Sequence, residues 1–302
     1  WILVANSWMQ TPAGYAVTGD GIVLTDFWAA FLNPSTGVRF LHTTLASWIT
    51  GSFFVAGIAA WYLLKGRDLE VSRKMMRVAL ALLVVSALVM PFAGHLHSIQ
   101  VANTQPAKLA AYEGLWQTQT NAPLALFGIP NEAAGTTDFY FGIPGLLSVL
   151  VGFTPDTRIT GLNDIPANLR PPILVSFASY HVMILLGGVF VLFALAGAYL
   201  WRTGKLWKEG RLRTWYLRAL VLAMPLPILS NEVGWIGAEV GRQPWTVYGV
   251  QFTADAVSAV VPDWQILASL LILGTLYALL LLLFLTRLRM IVAKGPAEAG
   301  QG

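Results

Sequence analysis

The chain has 302 residues, of which 56% are hydrophobic and 11% are charged, and it contains no cysteine. Ordinary soluble domains carry about 25% charged residues, so this composition predicts a protein whose solvent is the lipid bilayer. The absence of cysteine excludes disulfide frameworks, iron–sulfur clusters and cysteine nucleophiles within this sequence. The net charge of +4 does not indicate nucleic-acid binding, because the lysines and arginines cluster beside apolar segments, as juxtamembrane charges do.

Apolar runs near the roughly 20 residues that span a bilayer predict an all-α integral membrane helical bundle. Residues 1–19 are uncharged and predict part of a helix that begins upstream, since the sequence opens without an initiator methionine or a signal peptide. Pro225 and Pro227 should bend one downstream span. We expect a single membrane domain over residues 1–302. Five full spans are predicted, at residues 43–64, 78–94, 171–201, 219–238 and 264–286.

The positions of lysine and arginine orient this bundle, because cytoplasmic loops concentrate these residues. Basic residues fill the segments 65–77, 202–218 and 287–294, which should therefore be cytoplasmic. By alternation, residues 95–170 and 239–263 should lie outside. The segment 95–170 is much longer than an ordinary connection between helices, which indicates a functional outer loop.

Ionisable side chains at membrane depth are costly, so they mark candidate functional sites. His42, His181, Glu232 and Glu239 are such residues. His42 is either a haem ligand or a histidine that hydrogen-bonds a neighbouring helix, and its position alone leaves both open. Met183, taken alone, is ordinary core filler.

Four residues of the proline-bent span should share one helix face, because they are spaced at i, i+3, i+7 and i+10. We expect this stripe not to face lipid. It is either a charge-satisfied helix contact, in which the arginine pairs with a carboxylate, or a site where a carboxylate binds metal or carries protons. The four residues are Glu232, Trp235, Glu239 and Arg242.

The outer segment contains QPAKLAAYEG at 105–114, which predicts a short helix after Pro106. Lys108 and Glu113 in this helix are ordinarily a solvated surface pair. Alternatively, the carboxylate accepts a proton from a hydroquinone while the nearby ammonium keeps it ionised. Spacing alone does not separate these interpretations.

Four ordered motifs resemble subunit I of the cytochrome bd quinol oxidases, in the short-loop form. They are NSWMQTP at 6–12, FLHT at 40–43, QPAKLAAYEG at 105–114 and NEVGWIGAEVGRQPW at 231–245. The resemblance implies a haem-containing quinol:oxygen oxidoreductase of the prokaryotic cytoplasmic membrane. It also implies ubiquinol or menaquinol and oxygen as substrates, together with a second oxidase subunit and small accessory subunits as partners in the bilayer.

The resemblance further implies haem-binding roles. His42 and Met183 would be the axial ligands of a low-spin haem b, whose thioether ligand raises the iron potential. Glu239 would bind a high-spin haem b, Trp235 would lie between the two haems, and Arg242 would offset propionate charge. The ligand of haem d and the proton-route residues have no counterpart in this sequence, so we expect that ligand outside it.

Lys108 and Glu113 match the quinol-oxidising pair of the loop 95–170, which is called the Q-loop in this family. Two departures bear on the site. His181 stands where the family commonly has arginine, so it is a competing ligand candidate, and His95 stands where the family commonly has aspartate.

Two other functions remain open. The first is a bd-like subunit that oxidises quinol but passes its electrons to a partner without reducing oxygen. The second is a transporter whose buried histidine and glutamate side chains carry protons. A reduced-minus-oxidised spectrum distinguishes these two functions from the oxidase. A transporter would show no haem bands, and a haem d band would favour the oxidase.

Overall fold

A computed structural model describes residues 1–19, 21–258 and 260–296. Helices form most of these ranges, as expected for apolar segments that must satisfy their own backbone hydrogen bonds in lipid. In chain order they are α1 (Ile2–Gln10), α2 (Phe27–Phe31), α3 (Thr36–Lys65), α4 (Leu69–Thr104), α5 (Pro106–Glu113), α6 (Leu146–Gly152), α7 (Ile173–Arg202), α8 (Arg211–Ala223), α9 (Leu226–Val240) and α10 (Asp263–Lys294).

Within the described residues, four helices are long and apolar enough to cross a membrane, or five spans form if α8 and α9 count as one. They overlap all five predicted spans, which confirms the membrane helical bundle. The predicted bend is also confirmed, because α8 and α9 meet at 44° beside Pro225. A proline there removes a helical amide donor and crowds the preceding turn.

Antiparallel hairpins lie in three of the connections, and the sequence did not predict them. The segment 95–170 begins with the last turns of α4, which continues to Thr104, and one hairpin follows later in the same segment. The strands pair as β1 (Tyr15–Thr18) with β2 (Gly21–Leu24), β3 (Leu124–Asn131) with β4 (Thr136–Ile143), and β5 (Trp245–Val247) with β6 (Gln251–Phe252).

The main hydrophobic core lies toward the basic loops, where α3, α4, α7 and α8 pack together. A second, smaller core lies inside the outer segment and packs the end of α4 and α5 against α6. The outer segment is therefore a packed substructure that can hold side chains in fixed positions. The fully buried large residues of the main core include Phe53, Leu80, Leu83, Leu217 and Leu220.

A glycine on α7 allows the close packing of this core. A Cβ added at Gly197 would lie 2.3 Å from Tyr216 Oη and 2.8 Å from Leu80 Cδ2. The Tyr216 hydroxyl is held in place because it donates to the Phe193 carbonyl at 3.0 Å. Overpacking costs about 1–3 kcal/mol, so Gly197→Ala should lower the thermal unfolding midpoint in detergent. Gly188→Ala is the matched control, since its Cβ would meet nothing within 4 Å in the described chain. Equal midpoints for the two variants would contradict this packing.

Candidate functional site

A buried polar cluster lies at the end of the bundle opposite to the basic loops, where α1, α3, α5 and α9 meet. Asn6 on α1 donates to Glu239 Oε1 at 2.9 Å, and Arg39 on α3 donates to Asn6 Oδ1. Arg242, just after α9, donates to Glu239 Oε2 at 2.6 Å. Arg242 thus pairs with a carboxylate, as one of the two interpretations of the stripe expects, while a role of Glu239 in binding metal stays a prediction. Asn6 joins α3 to the end of α9.

Gln10, one turn further along α1, connects the same cluster to Lys108. Lys108 Nζ donates to Gln10 Oε1 at 2.5 Å and to Gln105 Oε1 at 2.8 Å, while Gln10 Nε2 donates to the Ala238 carbonyl at 3.2 Å. The Lys108 stem packs on Gly241, where an added Cβ would lie 3.1 Å from Cε. Lys108 is therefore buried, and its ammonium lies on the side of α5 that faces α1 and α9.

The cluster carries more positive than negative charge. Among the described residues, Arg39, Lys108 and Arg242 surround one carboxylate, that of Glu239. Burial lowers the pKa of Lys108 well below its usual value, and the charges of Arg39 and Arg242 lower it further. Arg39 Nε and Arg242 Nε and Nη1 are buried without a hydrogen-bond partner among the described residues. Because a buried excess of positive charge is costly, this cluster is complementary to an anionic group.

Glu113 lies at the C-terminal end of α5, on a different side from Lys108. Its Oε2 accepts a hydrogen bond from the Ala125 N–H at 2.9 Å, and Oε1 has no hydrogen-bond partner in the described part of the chain. Burial raises the pKa of Glu113 to about 8, although the Ala125 N–H and the neighbouring Tyr180 hydroxyl act in the opposite direction. A carboxyl group with this pKa can accept and release protons near neutral pH.

Lys108 and Glu113 do not form the contact that the sequence suggested. Five positions along a helix rotate a side chain by about 140°, which sends the Lys108 ammonium to α1 and the Glu113 carboxylate to β3. No ion pair joins them among the described residues. The interpretation as a solvated surface pair is wrong, because both side chains are buried. The interpretation in which the ammonium keeps the carboxylate ionised is also wrong, because burial raises the pKa of Glu113 instead. Their roles in quinol oxidation stay predictions.

The two predicted haem ligands, His42 and Met183, contact different helices. The ring of His42 packs edge-to-face on His97 of α4 with centroids 5.7 Å apart, and its Nδ1 is buried without a hydrogen-bond partner within the described ranges. Met183 on α7 faces α9, since a Cβ added at Gly234 would lie 2.9 Å from its sulfur. Their joint role as haem ligands stays a prediction.

His181, the competing ligand candidate, is engaged at both ring nitrogens. Nδ1 lies 2.9 Å from the Phe177 carbonyl oxygen and Nε2 lies 3.2 Å from the Ala125 carbonyl oxygen. The ring also stacks on Phe177 at 3.9 Å. A neutral imidazole has one N–H and donates to only one of these two carbonyls. The role of His181 as a competing ligand stays a prediction.

The remaining predicted residues lie at the periphery of the described chain. Trp235 is 46% exposed and Glu232 is also exposed. These two residues of the stripe on α9 are therefore not buried by other described residues. His95 packs edge-to-face on Phe153 of the outer segment, with ring centroids 6.2 Å apart.

Sequence reasoning missed several residues that build the site. Asn6, Gln10 and Gln105 lie inside the recognised motifs, and amides in apolar segments were a usable signal because buried polar groups require partners. Ala125 carried no such signal, since it acts through its backbone alone.

Comparisons with known proteins agree with the motifs. The family model for cytochrome bd terminal oxidase subunit I matches residues 1–296. Cytochrome bd ubiquinol oxidase subunit 1 of Bacillus subtilis (strain 168) is 32% identical over 306 residues, which cover 96% of this chain and 64% of that protein. Cytochrome bd-II ubiquinol oxidase subunit 1 of Escherichia coli (strain K12) is 27% identical, covering 98% of this chain and 70% of that protein.

A solved structure shares the fold. The bd oxidase from Geobacillus thermodenitrificans matches with a TM-score of 0.85 and 31% sequence identity, over 98% of this chain and 66% of that chain. The present chain therefore spans less than two thirds of the length of the Bacillus subtilis relative and of this structural neighbour.

Proposed function

Because the chain belongs to the cytochrome bd terminal oxidase subunit I family, a haem-containing family, we propose that it is the quinol-oxidising part of a membrane quinol:oxygen oxidoreductase. In this proposal it acts with a second oxidase subunit and small accessory subunits in a prokaryotic cytoplasmic membrane. The basic loops face the cytoplasm and residues 95–170 face outside. The observation that carries the proposal is the buried Glu113 carboxyl group, which has one oxygen without a partner among the described residues.

Glu113 is suited to accept a proton from a quinol hydroxyl. Oxidation of a quinol to a quinone releases two protons and two electrons, and a base with a pKa near the working pH removes such protons most effectively. Burial raises the pKa of Glu113 to about 8, and the Ala125 N–H holds Oε2 while Oε1 is left to meet the substrate. Lys108 is a fixed donor within the neighbouring cluster, and it would orient the quinol from that side.

The residues present fit haem groups. The buried Nδ1 of His42 and the buried guanidinium nitrogens of Arg39 and Arg242 lack partners in the described chain, and guanidinium groups pair well with carboxylates such as haem propionates. In this proposal His42 and Met183 would hold the low-spin haem b, Glu239 would hold the high-spin haem b, and Trp235 would also contact bound haem. When bound, the haems supply one-electron acceptors, and the protein supplies position and charge.

A reduced-minus-oxidised spectrum of the intact complex, combined with quinol-driven oxygen uptake, tests this function. We expect haem b and haem d bands that appear on adding quinol, together with oxygen consumption. Haem b bands without haem d or oxygen uptake would overturn the oxidase in favour of a quinol-oxidising electron-transfer subunit. A complex without haem bands would overturn both and leave a proton-coupled transporter.

A further inference from the structure

One residue of β3 joins Glu113 to α7. The Ala125 N–H donates to Glu113 Oε2 at 2.9 Å, and the Ala125 carbonyl oxygen lies 3.2 Å from His181 Nε2. Ala125 is only 5% exposed, so water does not compete for either group. The carboxylate is thus linked through a single residue to an imidazole on a membrane-spanning helix.

The imidazole is fixed by its own helix. The ring of His181 stacks on Phe177 with centroids 3.9 Å apart and an interplanar angle of 22°, and a neutral ring has one N–H to donate. Phe177 is held in turn, because a Cβ added at Gly114 would lie 3.3 Å from its ring and one added at Gly128 would lie 3.6 Å from it. His181 therefore presents Nε2 to Ala125 from a rigid support.

The hairpin needs such a support at this point. The pairing of β3 with β4 shifts register between Ala125 and Phe127, and again between Phe127 and Ile129. A bulge leaves a residue unpaired and disrupts the ladder locally. The ladder alone is therefore a weak constraint on the orientation of the Ala125 peptide groups.

We propose that His181, with its proton on Nε2, is a positioning residue for Glu113. Its Nε2–H donates to the Ala125 carbonyl and thereby keeps the Ala125 N–H directed at the carboxylate. This inference rests on the proposed function. Residues two apart in a helix point about 200° apart, so Met183 faces α9 while His181 faces the hairpin. One helix, α7, would then support both the proton acceptor and a proposed haem ligand.

The sharpest test is His181→Phe, which keeps a ring that can stack on Phe177 but removes the nitrogen that contacts Ala125. Misplacing a reacting group by a fraction of an ångström is costly, so quinol turnover by the intact complex should fall by about tenfold. His181→Gln can donate again from its amide and should restore most of the turnover. Tyr199→Phe, which removes a polar atom from an exposed ring near the other end of α7, should behave as wild type.

The pH profile separates positioning from a merely structural role. The Ala125 N–H stabilises the ionised carboxylate, so its loss should raise the pKa of Glu113 further and move the acid limb of kcat/KM to higher pH. Tyr140 on β4 and Tyr180 on α7 also face Glu113. Burial raises the pKa of Tyr140 to about 12, so this phenol does not titrate in that range.

The experiment distinguishes a failure of this inference from a failure of the proposed function. If Glu113→Gln is inactive while His181→Phe keeps wild-type turnover and an unshifted acid limb, this inference is overturned and the proposed function stands. The haem b spectrum should be unchanged in His181→Phe; loss of haem b would instead assign His181 to the haem site and overturn the inference. If this variant does not assemble, His181→Leu carries the same expectations.

Discussion

Replacing Glu113 by glutamine should lower quinol-driven oxygen consumption of the intact complex by about 100-fold or more, because general bases contribute at least this factor. Glutamine retains the size of the side chain and an oxygen that can accept from the Ala125 N–H. It cannot accept a proton from the substrate. Asp156→Asn, the same chemical change at an exposed position of the outer segment, should leave turnover unchanged.

The pH dependence of turnover by the wild-type complex is a second test of Glu113 as the proton acceptor. Since the pKa of Glu113 is raised to about 8, the group is protonated below this pH and cannot act as a base. The value of kcat/KM should therefore fall as the pH drops below about 8 and level off above it, and Glu113→Gln should lose this limb. Near wild-type turnover of the glutamine variant with normal haem bands would rule out Glu113 as the proton acceptor.

Replacing His42 by alanine should remove one haem b from the complex and stop the entry of electrons from quinol. An axial ligand deletion takes away the bond that holds the iron, and His42 Nδ1 is buried with no other partner in the described residues. Haem content per complex and the reduced-minus-oxidised spectrum measure the loss directly. His97→Ala is the matched control, because its ring lies 5.7 Å from that of His42 on the adjacent helix.

Met183→Leu completes this test. Leucine keeps the volume and apolar character but lacks the sulfur, so the low-spin haem b should lose its thioether ligand and its reduction potential should fall. Haem loss in His97→Ala but not in His42→Ala would transfer the ligand role to α4. An unchanged potential in Met183→Leu would exclude Met183 from the haem.

The sequence by itself determined the membrane spans and the family. Both depend on local information, namely uninterrupted apolar length, the two prolines 225 and 227 that bend one span, and short motifs whose residues are close in the chain. The short helix α5 was also predicted, because a proline at its start and a glycine after its end are local signals.

Only the tertiary structure decided the environment of the site residues. The sequence interval between Lys108 and Glu113 suggested an ion pair, yet helix rotation separates them and burial raises the pKa of Glu113. The partners that matter come from distant segments, since Asn6 contacts Glu239 across 233 positions and His181 contacts Ala125 across 56. Charge state and orientation depend on such long-range contacts and on exclusion from water, and the periodicity of a single segment contains neither.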